Sequence, residues 1–92
     1  MYDRNLDYHW HVNIEFDEDD THTHATVRAQ LADGETMTTL GDAYRHPKDA
    51  SRPMIGEEIA AARGLIALGT ELLQTASTQI EKATHRPVHL YS

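Results

Sequence analysis

The segment from residue 54 to residue 84 constrains the fold more than any other, because it has the pattern of one long amphipathic helix. Apolar residues recur there at alternating steps of three and four, which places side chains on one helical face. They are Ile59, Ala62, Ile66, Gly69, Leu73, Ala76 and Ile80. With a flanking row of leucines, the apolar sector covers roughly half the circumference, whereas packing on one neighbour needs an arc of about 100°.

This surplus predicts a second contact for the flanking row, Leu65, Leu68 and Leu72. One interpretation is a homodimer with these leucines in the contact. The alternative is that a short extended tail, with Val88 and Leu90 on one face, folds back over them. A chain of 92 residues without cysteine buries a modest core and has no disulfides, so association is the common remaining route to more burial. Both interpretations remain open.

Three segments before the helix alternate between apolar and polar residues, the pattern of half-buried strands. In the first, Trp10, Val12, Ile14 and Phe16 share one face, and Trp10 is expected to anchor the core. An acidic turn at residues 17–20 leads to a second strand over residues 21–32. Asp33-Gly34 predicts a hairpin turn, and residues 36–44 a third strand. There Met37 and Leu40 have opposite parity, which predicts a bulge near Thr39 or Gly41.

The order of these elements predicts a small α+β domain. A three-stranded antiparallel meander is packed by one long C-terminal helix, in the order β-β-β-α, and a short extended tail follows. Residues 1–7 show no periodic pattern and are expected to form a flexible N-terminus, with one domain over residues 8–92. No signal peptide is visible, and the helix carries charged side chains, Glu57, Glu58, Arg63, Glu71 and Lys82 among them, so a cytoplasmic protein without a membrane partner is expected.

The helical run IGEEIAAARGLIALGTELLQTASTQIE, the following THRPVHLY, and the hairpin segments WHVNIEF and THATVRAQL resemble the actinobacterial proteins of domain-of-unknown-function family 1876. The resemblance covers residues 10–91. It implies a fold similar to the double-stranded-RNA-binding domain, with three antiparallel strands backed by a helix. It implies no activity and supplies no catalytic residue, because the function of that family is uncharacterised.

Charge opposes the RNA binding that this fold analogy suggests. Eight basic residues face fifteen acidic ones, for a formal net charge of −7, whereas nucleic-acid binders normally carry a basic patch. RNA-binding members of the fold place lysines at the start of the last helix, where this chain has Gly56-Glu57-Glu58. No nucleic-acid partner is therefore predicted, and RNA binding is kept as the third hypothesis.

A group of histidines on the polar face of the first hairpin is the clearest candidate site. If the acidic turn pairs Phe16 with Thr21, Glu15 lies opposite His22, and cross-strand neighbours are about 5 Å apart. The candidate metal ligands are then His22, His24, Glu15 and His11. Imidazole and carboxylate groups suit zinc, nickel or copper. The alternative is a solvated polar face that is rich in histidine, and no other cofactor is predicted.

The sequence carries only weak signals for a catalytic site. There is no cysteine, and Ser51, Ser77 and Ser92 have no nucleophile-elbow motif. Gly64 and Gly69 lie within a helical pattern, which is typical of close packing rather than of a phosphate loop. Asp42, Tyr44 and His46 converge near the end of the third strand in one interpretation, but a polar strand end explains them equally. The sequence therefore predicts a non-enzymatic module that binds itself or an unidentified protein, with divalent-metal binding as the alternative.

Overall fold

The computed structural model describes residues 8–45 and 53–87. It contains strands β1 (His11–Glu18), β2 (His22–Gln30) and β3 (Thr36–Tyr44), followed by helix α1 (Pro53–Thr84). The strands form one antiparallel sheet in the order β1-β2-β3, and α1 packs on β2 and β3. The predicted β-β-β-α architecture is confirmed, and α1 begins one residue before its predicted start. The N-terminal segment 1–7 and the predicted tail from residue 88 lie outside the described residues.

The turn between β1 and β2 comes later than predicted. β1 runs to Glu18, and Asp19 then closes the turn: its Oδ1 accepts hydrogen bonds from the N–H groups of the second and third residues after it, both at 2.9 Å. Phe16 therefore pairs with Ala25 rather than with Thr21. The shift of four residues is even, so side chains keep their predicted face. Their neighbours across the hairpin all change.

The second hairpin agrees with its turn signal, but the predicted bulge in β3 is wrong. Gly34 has a φ of +92°, a left-handed conformation that favours glycine. β3 then pairs with β2 without interruption from Thr36 to Tyr44. Leu40 consequently points away from the helix and is 55 % exposed. Its neighbour Gly41 is the residue that points toward α1.

The interior is built from small residues. The buried apolar side chains are Ala25, Val27, Ala29, Ala43, Ala60 and Leu68. Gly41 lies so close to α1 that a Cβ there would be 2.1 Å from the main-chain oxygen of Ala60. Beside this contact, the Thr39 hydroxyl donates a hydrogen bond of 2.8 Å to the Gly64 carbonyl oxygen. Small side chains thus allow the helix and β3 to approach almost backbone to backbone.

The helix presents a different face to the sheet from the predicted one. Its sheet-facing residues follow steps of four: Ala60, Gly64, Leu68 and Leu72. The predicted stripe lies on the far side, where Ile66 is 68 % exposed. The prediction favoured the larger apolar residues, but the space above Gly41 and Val27 admits only alanine and glycine.

The inner side of β1 is left largely uncovered, because α1 packs on the other two strands. Ile14 packs against the core, but Val12 and Phe16 on the same side are exposed. Trp10 is 52 % exposed, so the prediction that it anchors the core is wrong. It lines an open groove of about 300 Å³ together with Leu31, Met37, Leu72 and Ala76.

Candidate functional site

Two histidines of β2 and one carboxylate of β3 meet on the outer face of the sheet, the side away from α1. His22 Nε2 and His24 Nδ1 each lie 2.7 Å from the same oxygen, Oδ1 of Asp42. His24 is directly opposite Asp42 in the register, and His22 is two residues along the same strand. All three side chains are about one-third exposed. We refer to these three residues as the His–Asp cluster.

Neighbouring groups hold the His–Asp cluster in place. The Tyr44 ring stacks on the His22 imidazole, with centroids 4.5 Å apart and planes within 4° of parallel. From the helix, Arg63 Nη1 donates a hydrogen bond of 2.7 Å to the main-chain oxygen of Asp42. The hydrogen bonds from His24 and His22 lower the pKa of the Asp42 carboxyl below its ordinary value of 3.8. Asp42 is therefore a carboxylate at neutral pH.

The structure separates the four predicted metal ligands into two groups. His22 and His24 lie together as expected. Glu15 instead pairs with Thr26, and its Oε2 lies 3.9 Å from Arg28 Nη1. His11 pairs with Gln30, at the other end of the hairpin. Glu15 and His11 are therefore wrong as partners of the two histidines, because the prediction depended on the incorrect turn register.

Asp42 takes the place that the prediction gave to Glu15. The sequence does carry a signal for it, since Asp42 and Tyr44 alternate along β3 as His22 and His24 alternate along β2. Joining the two signals requires the β2–β3 register, which pairs His22 with Tyr44 and places Asp42 opposite His24. His46, the third member of the predicted strand-end group, lies outside the described residues.

A second candidate site is the side of α1 that faces away from the sheet. We call it the outer helix face; it comprises Ile55, Ile59, Ala62, Ile66, Gly69, Leu73 and Ile80, with Ala76 at its edge, where Ala76 also lines the groove beside Trp10. Its isoleucines and leucine are all exposed, from 38 % at Leu73 to 68 % at Ile66. Within the described residues, no helix is long and apolar enough to cross a membrane. Because these large side chains are exposed among residues 8–45 and 53–87, the face is an apolar stripe in the described part of the protomer.

The leucines predicted for self-association lie elsewhere. Leu68 is 6 % exposed and belongs to a core cluster with Val27 and Ala29, and Leu72 packs against that cluster. The predicted contact is wrong for Leu68, because the sheet already covers it, whereas Leu72 is partly buried and lines the open groove beside Trp10. Leu65 is 43 % exposed and remains available beside the outer helix face.

Residues 8–89 match a family model described as Rv2632c-like. The chain belongs to the Rv2632c-like family. It is 37 % identical over 82 residues to the uncharacterised protein Mb1767 of Mycobacterium bovis, covering 89 % of this chain and 86 % of that protein. It is 36 % identical over 77 residues to the uncharacterised protein Rv2632c of Mycobacterium tuberculosis, covering 84 % of this chain and 82 % of that protein.

A solved structure supports the same assignment. The chain superposes on the crystal structure of Rv2632c with a TM-score of 0.78 and 32 % identity, covering 92 % of this chain and all of the other. Family membership predicted from the helix and the first hairpin is thus confirmed at the level of the Rv2632c-like family, with uncharacterised mycobacterial relatives, whereas the assignment to family 1876 stays a prediction. Because these relatives are described as uncharacterised, they assign no activity to this chain.

Proposed function

We propose that the protein is a non-enzymatic, self-associating module, and that two copies pair through their outer helix faces with α1 antiparallel to its partner. The observation that carries the proposal is the spacing of that face. Its eight residues follow steps of four and three without a break over 26 residues, or about 38 Å of helix. This is the repeat by which two helices pack side by side in a coiled coil.

The order of large and small residues supports a second copy as the occupant. Along the face the residues alternate: large side chains stand at Ile59, Ile66, Leu73 and Ile80, with Ala62, Gly69 and Ala76 between them. If two such faces run antiparallel about a centre between residues 67 and 68, each central large residue meets a small one. The pairs are Ile59 with Ala76, Leu73 with Ala62, and Ile66 with Gly69. A parallel pair would instead place isoleucine on isoleucine and glycine on glycine.

Gly69 supports close approach at this face. A glycine inside a helix costs about 1 kcal/mol relative to alanine. Contacts within the protomer explain why two other helical positions are glycine. A Cβ at Gly64 would lie 2.5 Å from Val27, and one at Gly56 would lie 2.6 Å from Thr23. At Gly69 a Cβ would have no atom of this chain within 4 Å. A second helix packed closely against Gly69 would explain why this position is glycine.

Charge also favours the antiparallel arrangement. Acidic Glu57 and Glu58 lie near the start of α1, and basic Lys82 and Arg86 lie near its end. Antiparallel pairing brings the acidic start of one helix toward the basic end of the other and opposes the two helix dipoles. The acidic start of α1 also disfavours a phosphate backbone, so RNA binding stays the weaker hypothesis.

Sedimentation velocity over a range of concentrations tests the proposal. We expect a species of twice the 10.4 kDa chain mass. Ile66→Lys should weaken its association by about 30-fold or more, since a central apolar contact is replaced by a charge. Leu40→Lys is the matched control, because Leu40 is also an exposed apolar residue but lies on the outer face of the sheet. A monomer at every concentration, or equal weakening by both variants, contradicts the proposal.

Cysteine cross-linking tests whether the two helices run antiparallel or parallel. Because the chain has no native cysteine, only the introduced cysteines can form disulfides. Ile66→Cys and Gly69→Cys are prepared separately, then oxidised alone and as a mixture. Antiparallel pairing predicts a disulfide dimer mainly in the mixture, where residue 66 of one copy meets residue 69 of the other. Dimers formed equally well by each variant alone would indicate a parallel pair and overturn the proposed direction.

A further inference from the structure

We infer that the His–Asp cluster is a binding site for a divalent first-row transition metal, with Zn²⁺ as the probe ion. The ligand atoms assigned by the geometry are His22 Nε2, His24 Nδ1 and Asp42 Oδ1. They all lie within 4.8 Å of one another. Two imidazole nitrogens and one carboxylate oxygen are a ligand set that zinc, nickel and copper accept.

The observed distances are close to those that a metal ion needs. Bonds of about 2.0–2.2 Å in tetrahedral geometry separate ligand atoms by roughly 3.4 Å. Each histidine nitrogen now lies 2.7 Å from Asp42 Oδ1. Opening each of these two distances by roughly 0.7 Å brings it to that separation, and the three ligand atoms already lie within 4.8 Å of one another.

The support around the cluster distinguishes it from histidines on a merely solvated face. The sheet register fixes the spacing of the three ligands, because His24 and Asp42 are direct partners on adjacent strands. Tyr44 orients the His22 ring by stacking, and Arg63 ties the Asp42 backbone to α1. Groups that orient metal ligands favour binding, and here the two contacts act on the His22 ring and on the Asp42 backbone.

The site also leaves room for a further ligand. Three protein atoms fill three positions, and the side chains are about one-third exposed toward solvent. A tetrahedral ion held there keeps its fourth position for water or for a small anionic ligand, the arrangement that distinguishes open zinc sites from closed structural ones. This site lies on the outer face of the sheet, so it can be tested independently of the proposed dimer on the outer helix face.

Isothermal titration of the full chain with zinc chloride at neutral pH tests the inference. We expect one Zn²⁺ per chain, with affinity reduced more than tenfold in His24→Gln and in Asp42→Asn. His11→Gln and Glu15→Gln are the matched controls, since both change groups of the first hairpin that lie outside the cluster. Their affinity should equal that of the unchanged protein.

Circular dichroism first verifies that each variant is folded, and nuclear magnetic resonance of the unchanged protein gives a second reading. During zinc titration the imidazole signals of His22 and His24 should shift before those of His11. No zinc-dependent heat, or a loss of affinity shared equally by the His11→Gln control, would overturn the inference. Imidazole signals that move first at His11 would overturn it as well.

Discussion

At the scale of single residues, two carboxyl groups, those of Glu57 and Glu18, repel each other where α1 meets the end of β1. The Glu57 carboxyl of α1 lies near the carboxyl of Glu18 at the end of β1. A proton shared between these two carboxyls, together with desolvation and the repulsion between their charges, raises the pKa of Glu57 above its ordinary value of 4.5. Thr23 Oγ1 also donates to Glu18 Oε1 at 3.3 Å. The folded state therefore binds a proton at Glu57 more tightly than the unfolded chain does.

The sign of the resulting pH dependence follows from this shift. A raised pKa contributes stability that is fully present below pH 4.5 and is lost as the pH rises through the folded-state value. We expect Glu57→Gln to raise the midpoint of urea unfolding at pH 7, with a gain that shrinks below pH 4.5. Glu58→Gln, at the exposed neighbouring position, serves as control. A gain that is equal for the two variants, or equal at both pH values, contradicts this explanation.

The secondary-structure elements show which parts of the fold the sequence predicts and which it does not. Local periodicity identified all three strands and α1, because alternation and the 3–4 spacing report local geometry. The sheet-facing side of α1 was not predictable in the same way. The surface of the sheet decides which face of α1 packs on it. Here β3 presents Gly41 and a buried Thr39, and only small helix residues such as Ala60 and Gly64 fit against them. Size-based patterning therefore selected the wrong face.

The contact between β3 and α1 leads to a prediction about Gly41. A methyl group there would lie 2.1 Å from the Ala60 oxygen and 2.4 Å from the Gly64 nitrogen, both backbone atoms that cannot rotate away. We expect Gly41→Ala to destabilise the fold by about 3 kcal/mol, at the upper end of overpacking costs. Thermal unfolding followed by circular dichroism measures it. Thr38→Ala, at an exposed position of β3, should have a much smaller effect; a comparable loss would rule out the steric explanation.

For the molecule as a whole, the candidate site also depends on contacts between elements, which local sequence patterns do not predict. His22 and His24 were predicted because their pairing on one face is local to β2. Asp42 was recognised only as part of a polar strand end, since its distance from the histidines depends on a register between strands. A turn shifted by a few residues keeps every side chain on its face but exchanges its cross-strand neighbours. Sites that span two strands are therefore less predictable than the strands themselves.

The distribution of apolar residues over the whole molecule leads to the last prediction. Among residues 8–45 and 53–87, the largest fully buried side chain is Val27, whereas Trp10, Ile59 and Ile66 are exposed. A domain of this size with so small a core has little stability to spare. Because a dimer that forms only from folded chains stabilises them by mass action, the melting temperature should rise with protein concentration, by about 4 °C per tenfold increase.

Differential scanning fluorimetry or circular dichroism over a hundredfold range of concentration measures this slope. Ile66→Lys should melt at one temperature throughout the range, since its outer helix face no longer pairs. Leu40→Lys should keep the slope of the unchanged protein. The dependence of the melting temperature on concentration distinguishes an exposed apolar surface that stays unpaired from one that forms a dimer contact. A protomer stable by itself melts independently of concentration, whereas one whose uncovered isoleucines pair with a second copy gains stability with every addition of protein.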